Sequence, residues 1–118
     1  MSWTAARKGA DRVDVTGPVG DTLAIHVSST VLPAAGWDWT GWTFTGQVRP
    51  TEDGDVVATY AFTDSSTSTE LDVVGKIVDT TSWEEGASWV HSWLATKGSE
   101  KYTLFSWLVL PTPRLVVP

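Results

Sequence analysis

Apolar and polar positions alternate with period two along most of this chain, and helical spacing is sustained nowhere. The alternation is clearest between Gly17 and Arg49. There Leu23, Ile25 and Val27 share one face, and Ala24, His26 and Ser28 the other. Further on, Trp42, Phe44, Gly46 and Val48 oppose Thr43, Thr45, Gln47 and Arg49. Successive side chains leave a strand on opposite sides, so this pattern predicts half-buried strands. Four more runs follow the same logic. Val13 and Val15 predict a short first strand, and Val56 to Thr63 a strong one with Val56, Ala58, Tyr60 and Phe62 on one face. Leu71, Val73 and Ile77 predict a short strand interrupted by Gly75, and Trp89, His91, Trp93 and Ala95 oppose Val90, Ser92 and Leu94 in another. The last run, Tyr102 to Leu110, is apolar on both faces, which predicts a central strand or one covered by a partner.

Turn signals separate these runs. Gly17-Pro18 and Gly20-Asp21 precede the second strand, Asp53-Gly54 follows Arg49, and Lys97-Gly98-Ser99 closes a hairpin. Between Ser82 and Leu94 a partial helical spacing competes, but Gly86 and the alternation around His91 favour a strand. The sum is all-β: a single antiparallel β-sandwich of about seven short strands. Residues 1–12 read as an extended N-terminal arm, 13–114 as the domain and 115–118 as an apolar C-terminal tail.

A chain of 118 residues fits one domain. It has no cysteine, which removes disulfides, thiolate metal sites and cysteine nucleophiles together. The net charge of -6 disfavours generic nucleic-acid binding. That charge is uneven: Arg7, Lys8 and Arg12 make the start basic, whereas Glu52 to Glu85 carries nine acidic residues against Lys76 alone. One copy's arm could lie on the acidic face of the next. No segment approaches the ~20 apolar residues of a membrane helix. The start lacks the order of a signal peptide, so synthesis in a cytoplasm is expected.

No catalytic constellation emerges. Glu84 and Glu85 are adjacent in a turn, and His26 and His91 lie on different strands with no third ligand type nearby. Asp53-Gly54-Asp55 lacks the further oxygen ligands of a calcium loop. Neither a phosphate-binding glycine loop nor a nucleophile elbow is present. The expectation is therefore no enzyme, no cofactor and no metal. Eight tryptophans point to contact instead. Trp42, Trp89 and Trp107 fit a core or sheet face, while Trp37 and Trp39, flanked by Gly36 and Gly41, read as an exposed loop pair. The partner-binding candidates are Trp3, Arg7, Lys8, Arg12, Trp37 and Trp39. For Trp3, folding back onto its own domain competes with anchoring a partner.

The order of short motifs resembles a small family of tailed-phage virion proteins, those with the N-terminal β-sandwich of upper-baseplate proteins. The motifs are Gly20-Asp21-Thr22, then Thr40-Gly41-Trp42 through Gln47-Val48-Arg49, then Val56 to Phe62, Glu85-Gly86 with Trp89, and Thr103-Leu104 running on to Arg114. Two positions depart: Trp107 stands near a usual glycine, and Trp93 makes its strand bulkier. The resemblance implies an accessory structural subunit on the head shell, tail or baseplate, without cofactor or active site. It would contact other virion proteins and copies of itself. The rival expectation is a carbohydrate-binding module that uses its tryptophans as a sugar platform.

Overall fold

A computed structural model describes residues 3–9 and 11–113; Arg114 and the predicted tail at 115–118 lie outside the described residues. The chain is all-β, with two sheets and no helix among the described residues. Nine strands form among the described residues: β1 (Thr4–Gly9), β2 (Arg12–Pro18), β3 (Leu23–Ser29), β4 (Thr43–Arg49), β5 (Ala58–Thr59), β6 (Ala61–Asp64), β7 (Leu71–Ile77), β8 (Trp89–Lys97) and β9 (Glu100–Thr112). The larger sheet runs β1-β2-β9-β8-β4-β5 and the smaller β3-β7-β6. The pairing of β2 with β9 is parallel, whereas every other pairing is antiparallel.

Three differences from the sequence reading have physical causes. The segment expected as an extended arm contains β1, paired with β2 in one register from Thr4↔Thr16 to Arg7↔Val13 and, past a bulge, at Gly9↔Arg12. Its alternation was invisible because all its side chains from Thr4 to Lys8 are exposed. The strand expected from Val56 to Thr63 is divided between the sheets. Thr59 pairs with Gln47 of β4, and the Tyr60 N–H still donates to the Gly46 carbonyl at 2.9 Å. From Ala61 the chain pairs with β7 instead. Tyr60 is thus a corner at which the chain changes sheets, and Val56 and Val57 before it are exposed rather than part of one apolar face. Gly75, expected to interrupt a strand, sits inside a continuous β7 that pairs with β3 over its whole length.

The interior explains Gly75. Leu23 and Ile25 of β3 and Leu71, Val73 and Ile77 of β7 face Val48, Trp93, Ala95, Phe105 and Val109 of the larger sheet. Trp93, with no exposed surface, reaches from β8 to the opposite sheet. A Cβ at Gly75 would lie 2.4 Å from its Cζ2, and one at Gly46 would lie 2.8 Å from its Cδ1. Phe62 and Phe105 pack on the same indole at ring-centroid distances of 4.7 and 4.8 Å. β9 is central, between β2 and β8, which accounts for its apolar character on both faces.

Gly75→Ala is expected to destabilise the fold by about 1–3 kcal/mol, because a packed core relieves overpacking only by shifting backbone or forcing rotamers. Trp93→Phe in the same chain should recover part of that loss. Denaturant melts of the two single variants and the double variant give the coupling, and strict additivity would refute the contact.

Candidate functional site

The six residues selected from the sequence fall in different settings. Trp3 folds back onto its own domain: it is 8% exposed, its indole packs over Gly17 and edge-on against Trp83 at 5.6 Å, and its Nε1–H donates to the Asp21 carbonyl at 3.1 Å. The buried Thr80 hydroxyl donates to the same carbonyl at 2.7 Å and accepts the Gly20 N–H. Trp3 therefore closes the sandwich rather than standing out from it. Arg7 and Lys8 are exposed on β1. Arg12 is tied to Asp14, and its guanidinium lies over the Trp107 ring, 5.3 Å from the centroid.

Trp37 and Trp39 are not an exposed pair. Trp39 is 2% exposed and Trp37 is partly buried, stacked on Trp42 at 4.8 Å with an interplanar angle of 16°. The loop is fastened from within: the Trp39 N–H donates to the Ser68 carbonyl, and the Trp42 Nε1–H to the Asp38 carbonyl. Asp38 accepts the Thr40 N–H at 2.8 Å, and that hydrogen bond holds its carboxyl below the usual range. Trp39 lines a groove of about 330 Å³ between the sheets. Its own Nε1–H is out of reach of solvent and finds no protein acceptor, so it offers no hydrogen bond to the outside. Gly36 and Gly41 suggested exposure, but the indoles fold inward to extend the core through Phe44 and Phe62.

The two histidines sit on different sheets. His26 of β3 pairs with Asp72 of β7 on the surface at 2.7 Å. His91 of β8 is 2% exposed. Its Nε2 lies 2.7 Å from the Val13 carbonyl, which can only accept, so Nε2 carries the proton. Nδ1 then accepts the Tyr60 hydroxyl at 2.8 Å. This line joins the sheet-switching corner, β8 and β2. Burial pushes the His91 imidazole below its usual pKa and the Tyr60 phenol above its own, so both stay neutral. Among the described residues no group of three or more His, Cys, Asp or Glu could hold a metal ion.

Trp107 is the feature that sequence reasoning undervalued. It has φ +122°, and no other non-glycine described residue has positive φ. Such a conformation costs about 1–3 kcal/mol and persists only where the surroundings impose it. The register sets Trp107 opposite His91, at a core-facing phase of β9 between the inward Phe105 and Val109. The unusual φ turns the indole to the outer face instead, beside Arg12, Ser92 and Gln47. The β2–β9 ladder skips Val13 and Asp14 at this point. Their places are taken by the His91 ring, which bonds the Val13 carbonyl, and by the Asp14 carboxylate, which accepts the Leu108 N–H at 3.2 Å.

No protein family and no curated protein matches the chain.

Trp39→Ala is expected to cost about 3–5 kcal/mol of stability, as for other buried aromatics. A melt within error of the unchanged protein would return Trp39 to the surface. The buried His91 also sets a pH dependence. Its folded pKa lies below the ordinary 6.5, so on acidification the unfolded chain binds the proton first. This group's contribution is constant above that value and declines as pH falls from about 6.5 to the folded pKa, at up to about 1.4 kcal/mol per pH unit. Urea melts from neutral to mildly acidic pH should show the decline, and His91→Gln should flatten it.

Proposed function

We propose that this chain is an accessory structural subunit of a tailed-phage virion, made in the host cytoplasm, that acts through protein–protein contacts in the particle. The observation that supports this reading best is β1. It is the outermost strand of the larger sheet, and its side chains from Thr4 to Lys8 are exposed on both faces. An outermost strand of this kind is a template for pairing with another chain. Arg7 and Lys8 on it discourage indiscriminate pairing and favour an acidic partner strand. The acidic stretch from Glu52 to Glu85 of a second copy, or of a neighbouring virion protein, supplies that complement. Many weak contacts of this kind add up when subunits are repeated around a particle. Trp3, Trp37 and Trp39 support the domain from within and leave the contact to the strand edge. The sugar-platform alternative built on Trp37 and Trp39 loses the surface it needed.

Mass spectrometry of purified phage particles should find the chain in stoichiometric amounts, and its absence would end this reading. Replacing Arg7 and Lys8 together by glutamine should leave the melting temperature unchanged and lower incorporation. Incorporation should also fall as salt rises, because exposed charges are screened beyond about 10 Å at 0.1 M.

A further inference from the structure

We infer that the surface around Trp107, on the outer face of the larger sheet, is a binding site for a sugar ring. The argument begins with the backbone. A position at φ +122° suits glycine, yet it carries the largest side chain and turns it outward. Strain retained by an outward aromatic on a central strand points to use of that aromatic. Two depressions flank the indole and share Ser106 and Trp107 as walls. One contains Arg12, whose guanidinium lies over the ring. The other, about 240 Å³, is lined by Val90 and His91 as well as by the polar Gln47, Arg49, Glu52 and Ser92.

A pyranose needs two things from a protein. Its C–H face needs a flat apolar surface, and its equatorial hydroxyls need a rim of paired donors and acceptors. Arg12 lies over the ring of the half-buried Trp107, and the part of the indole that walls the 240 Å³ depression supplies the first. For the second, Gln47 and the two serines both donate and accept, Arg49 donates and Glu52 accepts. The rim is held ready. Arg49 donates to the Gly54 carbonyl and to the Gln47 Oε1, each at 2.7 Å, and β4 pairs with β8 without a break in register from Thr43↔Thr96 to Arg49↔Val90. Fixed polar groups around one apolar plane bind with little ordering cost. The volume is below the roughly 300–1,000 Å³ that accepts a drug-sized molecule, which matches a single ring. A polyanion is disfavoured by the net charge of -6. The inference is independent of the assembly reading.

The whole protein is applied to an array of bacterial surface glycans together with cellohexaose, chitohexaose and oligogalacturonate, and hits are titrated by following indole N–H signals in NMR. Saturable binding to at least one glycan is expected, with the Trp107 signal shifting. Trp107→Gly relieves the backbone, so it should melt no lower than the unchanged protein and bind at least about tenfold more weakly. Gln47→Ala, an exchange at the rim, should weaken binding severalfold and serves as the arbiter if Trp107→Gly folds poorly. No saturable binding across the panel would overturn the proposal. Binding that both variants leave unchanged would do the same, as would a protein partner that needs Trp107 while every glycan fails. Particle incorporation is read separately: a Trp107→Gly chain that still enters particles but no longer binds glycan separates the two readings.

Discussion

The two sheets meet on one side chain. Trp93 stands on the second-longest strand and crosses the interior to lie against Gly75, while Gly46 of its own sheet leaves room beside it. Neither glycine is conformationally special, and neither has positive φ. Both are required by contact: each holds the backbone clear of an indole that no Cβ could approach so closely. The rest of the packing follows. Phe62 on β6 and Phe105 on β9 close on the same ring, and Tyr60 places the change of sheet directly beside it at 5.3 Å. The bulk of Trp93 is accommodated by the missing Cβ atoms of Gly75 and Gly46.

The strands whose two faces meet different environments were legible. β3, β4 and β8 carry alternation because one face meets the core and the other meets water, and period two records that difference directly; β9 was legible instead as a long apolar run. The rest was hidden for two reasons. β1 has no buried face, so its residues carry no alternation to read, although it pairs with β2 along its length. β5 and β6 form one apolar run in the sequence, and nothing in hydrophobicity distinguishes a strand from a strand that changes partners at Tyr60. Gly75 was misread because a glycine in a strand pattern signals either a break or a close approach. Which one holds depends on a residue of another strand.

The tryptophans show the same limit. Glycines beside Trp37 and Trp39 marked a loop, and a loop suggested exposure. In a small domain, however, a loop that carries large apolar groups can extend the core over the sheet ends. Here it does so at one end of β8, while Trp3, Trp83 and Trp89 do so at the other. Trp107, by contrast, lies in a pattern that predicts burial, and one backbone angle puts it outside. Backbone sign is not written in hydrophobicity.

The exchange at Trp107 also explains why the chain's buried polar chemistry serves its architecture. Turning the indole outward leaves the core position to the His91 ring, which then reaches the Val13 carbonyl across β9. Tyr60 completes the line, and burial keeps both rings neutral. A histidine fixed in one tautomer by a carbonyl, with a tyrosine as its donor, is a poor proton shuttle and a firm brace. His91 and Tyr60 thereby hold the corner, β8 and β2 together. The outer surface keeps an aromatic ring at Trp107, polar side chains around it and β1 as the outermost strand of the larger sheet.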